Sequence, residues 1–171
     1  STDLALTLLV VGGLGASYLF DIRDAQGSIM LPLTAVQLLW INVVADGPAA
    51  LALTLDRNPG LMRLPPRRVG SSLLSHGTLT FILVSGLTKA AIGLALFVFL
   101  PRAGVSLAET QTAVFLYETV AQLIFAYPVW HLHVEPLRNV WLHVAVFGGI
   151  ALQLFIIAFQ PTRSFLRLDG L

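Results

Sequence analysis

The chain has 171 residues, 56% of them hydrophobic and 11% charged, with a mean hydropathy of +0.83. A water-exposed domain carries about 25% charge, so too little polar surface is present to cover a soluble fold. Ten basic residues against nine acidic ones speak against a nucleic-acid binder, and the absence of cysteine excludes disulfides, thiolate zinc sites and a cysteine nucleophile.

What remains is an all-α polytopic transmembrane helix bundle, one domain over residues 1–171 with room for about five spans of roughly 20 residues. The chain begins at Ser1 rather than Met and enters an apolar run at Leu4 with no basic stretch before it. No signal peptide is expected, and the chain reads as cut from something longer or as numbered from a processed start. The first span is Leu4 to Phe20, without a charge. The second, Ala35 to Leu55, is interrupted by Asn42, Asp46, Gly47 and Pro48. The third, Leu79 to Leu100, carries only Lys89, and the fourth, Thr112 to Trp130, carries Glu118 and Gln122. The fifth, Val140 to Phe159, has no charge. Backbone groups in lipid must be satisfied within each segment, so these spans are expected as helices.

The connections are short and polar, and their Arg residues report orientation. Arg57, Arg63, Arg67, Arg68 and Arg138 fall in the second and fourth loops, against Arg23 and Arg102 in the first and third. Five against two puts the N-terminus in the cytoplasm, although Arg163 and Arg167 in the tail narrow the margin to five against four. The expected setting is an integral protein of the plasma membrane.

Charged groups at mid-bilayer cost about 2.5 to 3.5 kcal/mol each on insertion scales, which makes Asp46, Lys89 and Glu118 functional candidates. Asn42 and Asp46 lie four apart, on one helical face. Pro48 has no N–H for the carbonyl of Val44, so the helix is expected to break at Asp46-Gly47-Pro48. A carboxylate, an amide oxygen and freed carbonyls are the hard oxygen donors that Ca²⁺ takes, and broken helices are a recurrent way to build transporter ion sites. The competing reading is a kinked helix whose polar groups bond its neighbours. Glu118 and Gln122 also share a face, as further ion ligands or as partners of Lys89. Lys89 needs a carboxylate, and Glu118 and Asp46 are the candidates. Its roles are a structural pair or an internal counter-charge that replaces one transported cation. No phosphate-binding loop, serine elbow or zinc-helix motif is present, so this chain alone holds no catalytic residue and binds no nucleotide.

The stretch Leu33-Thr34-Ala35-Val36-Gln37-Leu38-Leu39-Trp40-Ile41-Asn42-Val43-Val44-Ala45-Asp46-Gly47-Pro48-Ala49 resembles the sixth transmembrane helix of P-type cation-transporting ATPases, in the calcium-pump-like branch. Leu64-Pro65-Pro66-Arg67-Arg68 is similar to the loop that follows it, Gln111 to Leu123 to the eighth helix, and Pro136 to Asn139 to the loop before the ninth. Ser1-Thr2-Asp3 resembles a turn within the fifth helix.

The resemblance implies helices five to nine of an ATP-driven pump. The other helices, the cytosolic domains, the Mg-ATP site and the phosphorylated aspartate would lie outside this sequence. It implies metal ligation by Asp46, Asn42, Asp3 and Gln122, with Ca²⁺ as the leading cation, to which the residue chemistry adds Glu118 and the carbonyl of Val44. The family's Thr before the Asp is Ala45 here, and its fifth-helix Glu falls at Leu6. Both departures remove oxygens, which leaves the ion and the number carried open. The second expectation is a stand-alone, non-catalytic membrane scaffold or partner protein derived from such a pump.

Overall fold

The computed structural model describes residues 2–23, 27–54, 76–131, 140–166 and 168. In chain order these form α1 (Thr2–Phe20), α2 (Ala35–Trp40), a π-helical stretch (Ile41–Asp46), α3 (Gly47–Thr54), α4 (His76–Arg102), α5 (Leu107–His131), α6 (Val140–Ala158) and α7 (Gln160–Leu166). Among the described residues the only β-type pairing is one isolated bridge, Arg23 with Ile29, in the loop between α1 and α2. Five helical passes correspond to the five expected spans. The loops that carry Arg57, Arg63, Arg67, Arg68 and Arg138, and the tail residue Arg167, lie outside the described residues.

Four passes are long and apolar enough to cross a membrane by composition: Asp3–Phe20, Ala35–Ala52, His76–Arg102 and Val140–Ala158. The fifth, α5, is 25 residues long but carries Thr110, Thr112, Glu118, Thr119 and Gln122, all of them buried. It sits in the middle of the bundle, against α4, α6, α3 and the π-helical stretch. Polar content and central position go together, because only protein neighbours can satisfy such groups at membrane depth. The other helices turn large apolar side chains outward, among them Val11, Leu19, Val84, Phe99, Phe147 and Leu154, as a lipid-facing surface requires.

Helix ends follow local rules. Thr34 and Gln37 form a reciprocal capping box at the start of α2, with Gln37 N donating to Thr34 Oγ1 at 3.2 Å and Thr34 N to Gln37 Oε1 at 2.9 Å. Ser106 and Glu109 repeat the pattern before α5, at 3.2 and 2.9 Å. Gly104, at φ +91°, turns the chain out of α4, a conformation that costs a side-chain-bearing residue dearly.

The second span departs from the expected break. The chain stays helical through Gly47 and Pro48, and the irregularity lies earlier, as a six-residue π stretch over Ile41–Asp46. An α-helical ladder would press the Pro48 ring against the carbonyl of Val44 and ask it for a hydrogen it lacks. Widening the preceding turn shifts the pattern by one residue and relieves both problems without ending the helix.

Two apolar clusters fill the interior. One, with Leu9, Leu33, Ile41, Phe97, Phe115 and Ile156, gathers near the α1–α2 loop and also takes Leu166 and Leu168 from the tail. The other, with Ala45, Ala49, Ala52, Leu123, Leu142 and Val146, packs α3 closely on α5 and α6. The buried Gln37 amide donates to the carbonyl of Leu166 at 3.1 Å and ties α7 to the start of the irregular helix. That tail helix had no counterpart in the span pattern.

Candidate functional site

Between the two clusters, the polar residues singled out from the sequence fall into two groups. The first is open. Asp3 on α1 and Asn42 on the π-helical stretch line one cavity of about 310 Å³, together with Leu6, Thr7, Val10, Val11 and Leu38. No basic side chain among the described residues lines it. Asp3 and Asn42 are exposed, whereas Val44 and Asp46 are half-buried and are not among the lining residues of that cavity. Asn42 lines this cavity and Asp46, four residues on in the π-helical stretch, does not.

The second group is closed. Lys89 and Glu118 face each other from α4 and α5, at 1% and 0% exposure. The ammonium donates to Gln122 Oε1 at 3.0 Å and stands 3.6 Å from Glu118 Oε2. It also lies 5.8 Å from the centre of the Phe125 ring, within cation–π range. Tyr117 donates its hydroxyl to the Lys89 carbonyl at 3.3 Å. Asp46 is the second carboxylate in electrostatic reach of the ammonium, after Glu118. Among the described residues, Glu118 has no closer donor than the Lys89 ammonium, and Gln122 Nε2 meets no acceptor.

One glycine makes this group possible. A methyl at Gly93 would come within 3.0 Å of Glu118 Oε1 and 2.9 Å of Leu9 Cδ1. The missing side chain on α4 therefore leaves the carboxylate its place and lets α1 approach. From the sequence, Gly93 reads only as a helix-packing residue, because its value depends on which side chain the facing helix brings. Gln37 likewise lies outside the polar shortlist, although the Thr-x-x-Gln spacing signals a capping box. Gln153, buried on α6 with an amide that meets no acceptor among the described residues, is a third polar group that the span pattern hides.

Among the described residues, no three His, Asp or Glu side chains converge as a metal cluster. The structure brings Lys89, Glu118 and Gln122 together, brings Asp3 and Asn42 to one cavity, and leaves Asp46 between them.

Residues 30–171 match the family model described as "Cation transporting ATPase, C-terminus". The calcium-transporting ATPase of Bacillus subtilis (strain 168) is 31% identical over 142 residues, which cover 80% of this chain and 16% of that protein. Calcium-transporting ATPase type 2C member 2 of Homo sapiens is 30% identical over 156 residues, 82% of this chain and 16% of the relative. Its Mus musculus counterpart is 38% identical over 90 residues, 49% of this chain and 9% of the relative. The chain thus spans less than a fifth of the length of these relatives. No solved structure matches the chain.

Proposed function

This chain belongs to the cation-transporting ATPases, as the C-terminal membrane domain of a cation pump, and we propose from that premise that it supplies Ca²⁺ ligands for alternating-access transport. Asp46 is the central ligand, with the side-chain oxygen of Asn42 and the main-chain carbonyl of Val44 from the same π-helical stretch. Asp3 adds a second carboxylate from α1. Glu118 and Gln122 are the further oxygens on α5, and Lys89 is the internal counter-charge beside them. The partners are the lipid bilayer, the remaining helices, and cytosolic domains that bind Mg-ATP and carry the phosphorylated aspartate.

The observation that carries this reading is Asp46, a half-buried carboxylate at the end of a π-helical stretch, inside a bundle with lipid-facing apolar surfaces. A π turn at membrane depth loosens the carbonyl ladder where a hard cation wants oxygens. In the cycle we infer, phosphorylation in the cytosolic part moves α1 against the irregular helix. That motion opens and closes the cavity between Asp3 and Asn42.

The test is Asp46→Asn in the complete protein. Ca²⁺-stimulated phosphorylation from ATP is expected to vanish while membrane insertion persists; unchanged Ca²⁺ dependence would remove Asp46 from the site. The proposed location is the plasma membrane with the N-terminus cytoplasmic. A cysteine at Ala103, exposed in the turn between α4 and α5, is then labelled by an impermeant reagent from outside the cell. Labelling only from the cytosolic side reverses the orientation.

A further inference from the structure

We propose that Thr7 is a further oxygen ligand for the transported cation, so that α1 contributes a paired carboxylate and hydroxyl to the binding wall. This deepens the pump reading above and rests on it.

The cavity between α1 and the irregular helix has a polar end and an apolar end. Among the described residues, its polar wall is Asp3 and Thr7 from α1 and Asn42 from the π-helical stretch. Its apolar wall is Leu6, Val10, Val11 and Leu38. Both sides run in the same sense: Val10 and Val11 follow Thr7 toward the α1–α2 loop, and Leu38 precedes Asn42 on the loop side. A cation in this space therefore finds side-chain oxygen only at the end remote from that loop. Leaving the apolar end means giving up every one of those contacts at once.

Spacing makes Thr7 a partner of Asp3. The two are four apart on one helix, so their Cβ atoms stand about 5–6 Å apart on one face, and the Thr7 side chain leans back toward the Asp3 turn. Oxygens on opposite sides of a calcium ion, each at about 2.3–2.6 Å, are separated by about 5 Å. The pair is thus spaced to close on one ion, with Asn42 facing it from the other wall. No imidazole or sulfur lines the cavity among the described residues, so the donor set suits a hard divalent cation.

Volume sets the weight of each ligand. The cavity of about 310 Å³ holds several waters, each taking about 30 Å³ in the liquid. The ion enters with part of its hydration shell, and a carboxylate, an amide oxygen and a hydroxyl replace only some of its about six to eight oxygens. The hydroxyl then tunes affinity without carrying charge. Asp3 and Thr7 also ride on one helical turn, so a shift of α1 against the irregular helix parts both from Asn42 together. A small movement then produces a large change in affinity.

The experiment titrates Ca²⁺-stimulated phosphorylation from ATP in the complete protein, comparing wild type, Thr7→Val and Thr7→Ser. Valine keeps the shape and removes the hydroxyl; serine keeps the hydroxyl and removes the methyl. Thr7→Val is expected to raise the half-maximal Ca²⁺ concentration about tenfold, less than the loss of a carboxylate, because water replaces a neutral oxygen in part. Its maximal phosphorylation should match wild type, and Thr7→Ser should stay within about twofold of the wild-type midpoint. Wild-type Ca²⁺ dependence in Thr7→Val overturns the proposal. So does a Thr7→Ser protein that shifts as far as Thr7→Val, which assigns the effect to packing. A Thr7→Val protein that does not fold ends it as well, because the hydroxyl would then serve the fold rather than the ion. Failure of the pump reading itself looks different: wild type then shows no Ca²⁺-stimulated phosphorylation, and the role of Thr7 falls with it.

Discussion

The two polar regions of this bundle are built in opposite ways. Around the π-helical stretch the groups are open and acidic: Asp3 and Asn42 line a cavity of about 310 Å³, Asp46 is half-buried, and no basic side chain among the described residues lines the space. Between α4 and α5 the groups are closed and balanced, with Lys89 and Glu118 at 1% and 0% exposure. The difference teaches how a membrane protein keeps charge. A group left for a partner to neutralise stays reachable, whereas a group neutralised by its own chain can be sealed.

The largest effects come from breaking one region while sparing the other. Asp46→Asn should weaken Ca²⁺ activation of phosphorylation by about 100-fold or more, equivalent to losing ~3 kcal/mol of charge interaction. Its effect on the thermal stability of the detergent-extracted protein should be small. Glu118→Gln is the mirror case. It strands the buried ammonium and should cost about 3–5 kcal/mol of stability, visible as loss of monodisperse protein. Adding Lys89→Met should recover most of that loss, since replacing both members of a buried pair is often neutral. Equal stability of Glu118→Gln and the double variant would mean that the two regions do not differ as described.

Gly93→Ala probes the same boundary more gently. The added methyl must displace Glu118 Oε1 or Leu9, at 3.0 and 2.9 Å, with an expected cost of about 1–3 kcal/mol. A thermal unfolding midpoint equal to wild type would show that α1 and α4 have slack there. Gln37→Leu removes the reciprocal cap and the bond to Leu166, and about 1–2 kcal/mol of destabilisation is expected, read by faster proteolysis of the tail.

The smallest effect is at Ser106. Hydrogen bonds from its side chain and backbone hold the exposed Glu109 carboxyl below the usual carboxylate range. A depressed folded value contributes stability above the unfolded pKa, near 4.3, and loses it as pH falls through the folded value. Ser106→Ala should therefore lower the melting temperature by about 2 °C at neutral pH, and the gap should narrow below about pH 4, where only the pH-independent bond from Glu109 N to the hydroxyl remains lost. A gap of unchanged size in acid would assign the cap to that bond alone.

Much of this was legible without coordinates. Long apolar runs bounded by loop residues predict the helical passes, because a bilayer demands length, low charge and internal hydrogen bonding. Three mid-span ionisable residues, Asp46, Lys89 and Glu118, stood out because the same bilayer makes them costly. The Gln-Leu-Leu-Trp-Ile-Asn to Asp-Gly run carried the family resemblance, which the match over residues 30–171 bears out. The form of the irregularity was not legible. A proline predicts disturbance of the preceding turn, but whether the chain breaks or widens depends on what packs around it, here Ala45 and Ala49 against α5 and α6.

From the sequence alone came the class, the family and a shortlist of charged residues. These follow from composition and order along the chain, which a membrane reads one segment at a time. Only the tertiary structure decided which of those charges meet. Helical periodicity puts Lys89 on one face of α4 and Glu118 on one face of α5, but it is the packing of the two helices that sets their ions 3.6 Å apart and leaves Asp46 half-buried between that pair and the open cavity. Charge pairing is a property of distance and burial, and neither is written in the order of residues.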